Sequence, residues 1–484
     1  MEIHDSGLYA AFKAKDNRFD GRFFVGISST GIYCRPICKA KQAKEENCTF
    51  FQSAAEAEQA GFRPCLLCRP ELAPGKSVAD ANVNLSYRAA KLLEETCTYK
   101  LSIQELAEQL GYTDRHLRRV FTAEYNVSPV QYLQTCRLHL AKQLLTDTNL
   151  TVLEIAMAAG FGSLRRFNAV FKEQYRLTPT QLRKKVITKP TVDEITLSLS
   201  YRPPYRWNEI LTFLKSRAIE GVEAVIDDKY MRTVRLKNIK NEKIEGWIKV
   251  SHNEEKESLN LTVSHSLLSV LPQVLARTKK MFDIYCNPEI IYQALKPMNK
   301  IIKDSCVLGT RLPGCFDSFE MSVRAILGQL ITVKAAGTIA ARIAKTYGHE
   351  IQTGINGLTH TFPSSEDIIA LENIEESFGV LGVTSAKSRT ILQLAELVQT
   401  AELNLDFCVN PETEMKKLLA ITGIGNWTAQ YIAMRAMEWT DSFLETDAGV
   451  KKALSGYSAK EMLSIAEEWR PWRSYAVINL WQTL

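Results

Sequence analysis

The sequence has no run of about 20 consecutive apolar residues, the length that spans a bilayer, which excludes a transmembrane protein. Its first residues mix acidic and basic side chains without an apolar core, so a secretory signal is not expected. The charged fraction of 24% and the aromatic fraction of 9% argue against disordered, collagen-like and coiled-coil classes. Eleven cysteines in a chain without an export signal should be reduced thiols or metal ligands. We therefore expect a cytoplasmic protein with no membrane partner and three or four domains.

The positive charge is concentrated in the middle of the chain. Residues 85–187 contain 15 Lys or Arg against 9 Asp or Glu, and this excess of six equals the net charge of the whole chain. A basic segment of this kind favours a polyanion partner, most simply nucleic acid. Charge alone leaves open that the segment is only a solvated surface.

The same segment contains an internal repeat. Each copy has a Glu-apolar-Ala run six residues before a glycine-aromatic pair, then an Arg-rich stretch, then a Tyr-x-x-(Ser/Thr)-Pro stop. The copies begin at Glu105 and Glu154 and stop at Pro129 and Pro179. Each is typical of two helices joined by a glycine turn, which predicts helix-turn-helix units whose second helix enters the major groove of double-stranded DNA.

The predicted recognition helices are Thr113–Glu124 and Ser163–Gln174. Their candidate DNA-contacting residues are Arg115, His116 and Arg119 in the first and Arg165, Arg166 and Asn168 in the second. The two copies closely resemble the AraC-type regulatory domain, in which a connecting helix joins two such units. Here Pro129–Leu145 would be that connector.

Four cysteines near the amino terminus form two close pairs, Cys34 with Cys38 and Cys65 with Cys68, and 26 residues separate the pairs. Two such pairs brought together by a fold give a four-sulfur site that favours one zinc ion. From the spacing alone, a purely structural zinc site is the favoured interpretation. Cys48 has no partner at ligand spacing and is interpreted as a small buried residue.

The runs Ser29-Thr30-Gly31-Ile32-Tyr33-Cys34-Arg35-Pro36 and Ala60-Gly61-Phe62-Arg63-Pro64-Cys65 resemble the amino-terminal domain of the Ada family of methylation-response proteins. In that family the first of the four cysteines is both a zinc ligand and the acceptor of a methyl group from a DNA methylphosphotriester. The resemblance therefore assigns the acceptor role to Cys34. It also implies DNA contacts for Thr30, Lys39, Lys41 and Arg63.

The carboxyl-terminal half begins with a small α+β module to about residue 298. Its helical stretch runs from Trp207 to Gly221, and its alternating runs are Tyr230–Leu236, Glu245–Val250 and Leu259–Val263. From Pro313 onward the pattern is almost entirely helical. A turn at Gly423-Ile424-Gly425 opens one helix, where free N–H groups can bind a DNA phosphate through a monovalent cation.

Asp447 follows Gly425 by 22 residues, and this spacing resembles the helix-hairpin-helix DNA glycosylase superfamily. The resemblance extends over residues 195–484 to the 3-methyladenine glycosylase II (AlkA) family. Its clearest points are the runs Tyr201-Arg202-Pro203-Pro204-Tyr205, Arg311-Leu312-Pro313-Gly314-Cys315, Arg324-Ala325-Ile326-Leu327-Gly328-Gln329-Leu330 and Pro471-Trp472-Arg473-Ser474-Tyr475-Ala476.

The AlkA resemblance makes Asp447 the catalytic carboxylate, which stabilises the oxocarbenium-like sugar left by the departing base. It makes Trp427, Tyr431 and Trp481 the lining of the base pocket, and Leu330, with Gln329 beside it, the wedge that replaces the flipped base. Aromatic residues at helical spacing can instead be ordinary core residues, and we expect this for Trp439 and Trp469. Glu445 and Asp441 are nearby acids that could be mistaken for the catalytic residue.

Several motifs of related proteins are missing. Bifunctional glycosylases carry a lysine where this chain has Trp427, so attack by water without strand cleavage is expected. No cysteine cluster follows Asp447, and no Pro-Cys-His-Arg run occurs, so neither an iron–sulfur cluster nor methylguanine transfer is expected.

The predicted domains are residues 1–78, 84–187, 191–298 and 305–484. They are a small zinc-bound α/β domain, an all-α double helix-turn-helix domain, a small α+β domain and an all-α helix-hairpin-helix domain. Together they predict a methyl sensor, transcription activator and glycosylase whose partners are promoter DNA, damaged DNA and RNA polymerase. Two alternatives stay open: a regulator whose glycosylase half is only a DNA-binding platform, and a glycosylase whose front half only delivers it to DNA.

Overall fold

The computed structural model of the chain describes residues 5–15, 23–51, 57, 60–65, 67–68, 78–98, 102–183, 194–238, 240–406, 408 and 411–484. The predicted junction at residues 187–191 lies outside these described residues. Among the helices that are described, none is long and apolar enough to cross a membrane.

The amino-terminal region consists of a helix and a small sheet. Helix α1 (Asp5–Ala14) precedes four short strands, β1 (Phe24–Ile27), β2 (Ile32–Cys34), β3 (Cys48–Phe51) and β4 (Arg63–Pro64). The sheet order is β3-β1-β2-β4, and β4 runs parallel to β2. This parallel pair brings the two cysteine-bearing segments side by side although they are far apart in the chain.

The repeat folds as two helix-turn-helix units on one long helix, as predicted. The helices are α2 (Val78–Glu95), α3 (Ile103–Gln109), α4 (Asp114–Tyr125), α5 (Pro129–Asp147), α6 (Val152–Ala158), α7 (Leu164–Tyr175) and α8 (Pro179–Leu182). The repeated Glu105 and Glu154 complete capping boxes at the starts of α3 and α6. The helices predicted for recognition are α4 and α7, whose N-caps are Thr113 and Ser163.

The Ser-Pro and Thr-Pro pairs follow the recognition helices, as predicted, and also begin the next helices. Ser128 and Thr178 are N-caps, and the prolines after them begin α5 and α8. Helices α4 and α7 end at Tyr125 and Tyr175, and their C-cap residues Asn126 and Arg176 adopt left-handed conformations with φ of 59° and 58°. The connector α5 is also two residues longer than predicted, ending at Asp147.

A five-stranded antiparallel sheet forms the next module, with the order β5-β9-β8-β7-β6. Its elements are β5 (Glu194–Ser200), α9 (Trp207–Lys215), β6 (Glu223–Ile226), β7 (Lys229–Lys237), β8 (Lys243–Asn253), β9 (Ser258–Ser264), α10 (Leu271–Met281) and α11 (Pro288–Leu295). The three alternating runs are strands, as predicted. Helix α9 ends before the predicted Gly221, and the short strand β6 after that glycine was not predicted, because a four-residue strand has little periodicity.

The carboxyl-terminal region is helical. Its helices are α12 (Ser318–Leu327), α13 (Val333–Tyr347), α14 (Ser365–Ile369), α15 (Ile374–Gly379), α16 (Ser385–Gln399), α17 (Pro411–Ala420), α18 (Asn426–Ala436), α19 (Ala448–Ala453), α20 (Ala459–Glu467) and α21 (Arg473–Gln482). Trp439 and Trp469 are buried core residues, as predicted.

The helix-turn-helix region and the five-stranded sheet share one apolar core. Buried residues from α2, α5 and α7 form a continuous cluster with those of β5, β9 and α10. Polar contacts lie along the same boundary. The amide of Gln143 donates to the carbonyl oxygen of Ser198 at 3.2 Å, and the N–H of Ser198 donates to Asp147 at 3.1 Å.

Candidate functional sites

The four predicted cysteine ligands meet in one cluster. The sulfur atoms of Cys34, Cys38, Cys65 and Cys68 all lie within 4.8 Å of one another. In a tetrahedral zinc site with Zn–S bonds of about 2.3 Å, neighbouring sulfurs are about 3.8 Å apart, so the cluster fits one zinc ion. Zinc with four cysteine ligands is therefore the metal centre of this region.

Backbone hydrogen bonds hold the cluster together. The N–H of Cys65 donates to the carbonyl oxygen of Tyr33 at 3.0 Å, where β4 adjoins β2. The N–H of Arg35 donates to the sulfur of Cys68 at 3.3 Å, which links the two pairs directly. Cys34 is only 2% exposed, whereas Cys68 is half-buried.

The four clustered sulfur atoms themselves favour binding of a cation. Hydrogen bonding to Cys38 raises the pKa of the Cys34 thiol, while the reverse contact with Cys34 lowers the pKa of Cys38. Four sulfurs this close can all be thiolates only when a cation offsets their charge. Cys48 lies outside the cluster, and its half-buried thiol donates to the carbonyl oxygen of Lys44 at 3.3 Å.

The predicted DNA-contacting residues of this region are all at the surface. Thr30, Lys39, Lys41 and Arg63 are exposed. Thr30 lies in the turn between β1 and β2, and the N–H of Arg63 donates to the carbonyl oxygen of the adjoining Gly31 at 2.9 Å. The turn and strand β4 therefore form one surface next to the cysteine cluster.

The predicted recognition helices expose their arginines and bury their aromatic residues. Arg115, Arg119, Arg165 and Arg166 are exposed, as is Asn168, and His116 is half-buried with a ring nitrogen 3.3 Å from Arg119. On the opposite faces, Phe121 and Phe167 are completely buried. Each unit thus presents a basic face of the kind that contacts DNA phosphates and bases.

The predicted hairpin joins α17 to α18. Gly423 has a φ of +95°, and a Cβ atom there would collide with the hydroxyl oxygen of Thr390. That hydroxyl donates to the carbonyl oxygen of Thr422 at 2.8 Å and so fixes the turn. Gly425 is the N-cap of α18 and has no side chain to occupy the first N–H groups of the helix.

Asp447 is the N-cap of α19, and four N–H groups fix its carboxylate. One oxygen accepts from the backbone of Gly449 at 2.9 Å, from that of Val450 at 3.1 Å and from the indole of Trp481 at 2.8 Å. The other accepts from the indole of Trp427 at 3.1 Å. The half-buried carboxylate is thereby held against two of the predicted pocket aromatics.

The neighbouring acids have other roles. Asp441 is buried and forms ion pairs with Arg470 and with Arg473, the latter at 2.8 Å. Glu445 is half-buried and accepts from the side-chain amide of Asn426 at 3.2 Å. Neither acid is held by the pocket indoles, so the geometry favours Asp447 among the three.

The aromatic residues stack next to this carboxylate. The rings of Trp427 and Tyr431 lie 5.2 Å apart and are nearly parallel at 6°, and Trp481 lies 6.4 Å from Tyr431. Phe213 of α9, which the sequence did not indicate, stacks on Trp481 at 6.1 Å and 19°. The aromatic group beside Asp447 thus includes a residue of the α+β module.

The predicted wedge lies at the tip of the loop between α12 and α13. Leu330 is completely exposed and has a left-handed φ of 61°, both unusual for leucine. Gln329 points the other way, and its amide donates to the carbonyl oxygen of Gly423 and to the hydroxyl of Thr428, both at 2.9 Å. Lys387, also missed by the sequence analysis, donates to the carbonyl oxygen of Gln329 at 2.8 Å.

Three family models match the chain. The metal binding domain of Ada matches residues 7–71, a helix-turn-helix domain matches residues 106–185, and the AlkA N-terminal domain matches residues 196–317. The "Probable bifunctional transcriptional activator/DNA repair enzyme AlkA" of Mycobacterium tuberculosis is 33% identical over all of this chain and 97% of its own length. The chain belongs to this AlkA family.

Two further relatives are each similar to only part of this chain. DNA-3-methyladenine glycosylase 2 of Escherichia coli is 32% identical over 59% of the chain and 96% of its own length. The bifunctional transcriptional activator/DNA repair enzyme AdaA of Bacillus subtilis is 31% identical over 35% of the chain and 78% of its own length. The chain is thus similar in part to a DNA glycosylase and in part to a bifunctional activator and repair enzyme.

Proposed function

We propose that the chain senses and repairs alkylated DNA by two reactions at separate sites. Cys34 takes a methyl group from a DNA methylphosphotriester, and the methylated protein then activates transcription. The pocket around Asp447 hydrolyses the N-glycosidic bond of alkylated bases such as 3-methyladenine without cutting the strand. The observation that carries the second reaction is the Asp447 carboxylate, held by the indoles of Trp427 and Trp481 beside an aromatic pocket.

The methyl transfer takes place at the sulfur of Cys34. The thiolate attacks the methyl carbon, the methyl C–O bond breaks, and its electron pair leaves on the phosphate oxygen as a diester anion. Zinc, when bound, supplies the charge that keeps the cysteines deprotonated at neutral pH. Because Cys34 is only 2% exposed, we expect DNA binding to cause a conformational change that exposes its sulfur before the transfer.

The transfer changes the charge of the DNA-facing surface. Four thiolates and one zinc ion carry a formal charge of −2, and methylation of one sulfur leaves −1. The reaction consumes its nucleophile, so it occurs once per protein and can serve as a signal. Less repulsion of phosphate should increase the affinity of the surface formed by Thr30, Lys39, Lys41 and Arg63 for DNA.

Base release takes place in the pocket of Trp427, Tyr431 and Trp481. An alkylated purine is cationic or electron-poor, so stacking on aromatic faces binds it without requiring one hydrogen-bond pattern. This favours a broad range of damaged bases. Leu330 fills the gap left by the flipped nucleotide, and Asp447 stabilises the positive charge that develops on the sugar.

The helix-turn-helix region supplies promoter binding. Its exposed arginines support contacts to double-stranded DNA through α4 and α7. Activation requires RNA polymerase as a further partner, and a DNA-bound protein of this kind would be associated with the nucleoid.

The experiment that tests both reactions uses the purified protein with methylated duplex DNA. We expect release of alkylated bases into solution and a gain of one methyl mass on the intact chain, localised to the peptide that contains Cys34. Methyl gain without base release would support the alternative in which the glycosylase half is only a DNA-binding platform. Transcription from a promoter by purified RNA polymerase in the presence of the methylated protein is the second measurement. Base release without any increase in that transcription would support the alternative in which the front half only delivers the enzyme to DNA.

A further inference from the structure

Arginines lie behind the aromatic wall of the base pocket. The guanidinium of Arg435 donates to the hydroxyl of Tyr431 at 2.8 Å and lies 4.7 Å from the ring centre of Phe213. Arg217 lies against the same phenylalanine at 3.8 Å and 5.8 Å from the ring centre of Trp481. Both guanidinium groups therefore lie directly behind the aromatic rings of the proposed pocket.

Among the described residues, neither Arg217 nor Arg435 forms an ion pair. A third arginine, Arg324, forms ion pairs with Glu223 at 2.9 Å and with Glu320 at 3.2 Å. In contrast, no carboxylate of the described residues lies within 4.0 Å of the guanidinium of Arg217 or Arg435.

Arg217 and Arg435 donate instead to uncharged groups. Arg435 donates to the backbone carbonyl oxygens of Pro313 and Gly314, and Arg217 donates to the hydroxyl of Ser216 at 3.0 Å. The side of the aromatic group formed by Phe213 and Tyr431 is therefore electropositive.

The phenol of Tyr431 responds to this field. Burial alone would raise the pKa of Tyr431, but Arg435, Arg217 and Arg324 together lower it below its ordinary value. The positive charge thus reaches the ring on which a base would stack.

Glycosidic cleavage moves negative charge from the sugar to the base, and therefore towards these arginines. The bond between C1′ and the base nitrogen breaks, and its electron pair goes to the base, so a cationic base becomes neutral and a neutral base becomes an anion. Water then forms the new bond to C1′ and loses a proton to solvent, and a base that left as an anion takes up a proton. In both cases the base becomes more negative by one charge, so a cation behind it stabilises the later state more than the earlier one.

We propose that Arg217 and Arg435, acting through the rings of Phe213 and Tyr431, are positioning residues that stabilise the departing base, an inference that rests on the proposed glycosylase function. The pocket then has two charged ends, with Asp447 facing the sugar and the arginines facing the base. Their effect extends catalysis from cationic bases, which leave easily, to neutral damaged bases, which leave poorly.

The test compares Arg217→Gln, which removes the charge, with Arg217→Lys, which retains it. Arg217 is half-buried and lies just beyond the end of α9, so both variants should fold, and methyl transfer to Cys34 reports on the integrity of the rest of the chain. The substrates are duplexes with one 7-methylguanine, a cationic base, or one hypoxanthine, a neutral base. Single-turnover release gives the rate, and binding is measured on the corresponding 2′-fluoro nucleotides, which resist cleavage.

We expect Arg217→Gln to slow release of both bases by about 30-fold, the effect of one charge at roughly 8 Å and an effective dielectric constant of about 20. Its binding of the cationic base should become tighter, because a ground-state repulsion is lost, while binding of hypoxanthine stays unchanged. Arg217→Lys should keep most of the wild-type rate. A merely structural role would instead weaken binding and rate together for both bases.

Two results would overturn the inference. Equal rates of hypoxanthine release by the wild type and Arg217→Gln would remove the electrostatic role while leaving the glycosylase function intact. Release of neither base by the wild-type protein would remove the glycosylase function itself, and the inference with it.

Discussion

The cysteine cluster and the Asp447 pocket are built in opposite ways. The four sulfurs come from residues 34–68, on short strands and the loops beside them. The site around Asp447 gathers Phe213, Trp427, Tyr431 and Trp481 from distant parts of the chain, all of them on helices. The first arrangement suits a group that is consumed once and reports by a change of charge. The second suits a site that must hold its geometry through many turnovers.

The largest expected effect is the loss of methyl transfer, without loss of base release, when Cys34 is replaced. Cys34→Ser should abolish methyl transfer, because the acceptor sulfur is gone, and should weaken zinc binding while leaving base release unchanged. Mass spectrometry of the intact chain after incubation with methylphosphotriester DNA measures the transfer. Cys48→Ser is the matched control, since Cys48 lies outside the cluster and should not be needed. A methyl group on any cysteine of the Cys34→Ser protein would contradict the acceptor assignment.

The next largest effect concerns Asp447. Asp447→Asn keeps the shape of the side chain and removes its charge, so base release should fall by about 10²–10³-fold, or roughly 2.7–4 kcal/mol of transition-state stabilisation. Binding to abasic-site DNA and methyl transfer to Cys34 should both persist. Single-turnover base release measures the loss.

Glu445→Gln is the control for Asp447→Asn, since Glu445 lies close by but accepts from Asn426 and not from the pocket indoles. Its rate should stay within a few-fold of the wild type. If Asp447→Asn released bases at a near-normal rate and Glu445→Gln did not, the catalytic role would move to Glu445. Loss of methyl transfer in either variant would mean that the two halves are coupled.

A smaller effect is expected at the hairpin. Gly423→Ala places a side chain at a φ of +95° and against Thr390, so the free energy of unfolding should fall by about 1–3 kcal/mol and binding to abasic-site DNA should weaken. Gly425→Ala is a close control, because Gly425 has a φ of −90° and open space where a Cβ would lie. Chemical denaturation of both variants measures the difference, and equal stabilities would show that the turn tolerates a side chain.

The smallest effect is the change in DNA affinity on methylation. The methylated protein should bind promoter DNA more tightly at low salt, and the gain should shrink as salt increases. One unit of charge corresponds to a difference of about 0.9 in the slope of log K against log salt concentration. Equal affinities at low salt would show that charge is not the switch.

The sequence predicted local features far better than distant contacts. Cys34 and Cys38 are four residues apart, and Gly423 and Gly425 two, so their spacing alone indicated a metal site and a turn. Phe213 and Lys387 carried no such signal, because their partners Trp481 and Gln329 are far away in the chain.

Arg435 could have been found from the sequence. It lies four residues after Tyr431 and therefore on the same face of α18, the spacing at which helical side chains interact. The start of α5 at Pro129 was predicted from the Ser-Pro pair, whereas the short helix α8, which begins at Pro179 after the Thr-Pro pair, was not.

The apolar core shared by the helix-turn-helix region and the five-stranded sheet limits how this fused protein can be divided. A truncated protein beginning at β5 would expose to water the apolar surface that α2 and α5 cover, together with the groups of Ser198 that bond to Gln143 and Asp147. Such a fragment should therefore be poorly soluble. The helix-turn-helix region is in this way part of the same folding unit as the five-stranded sheet.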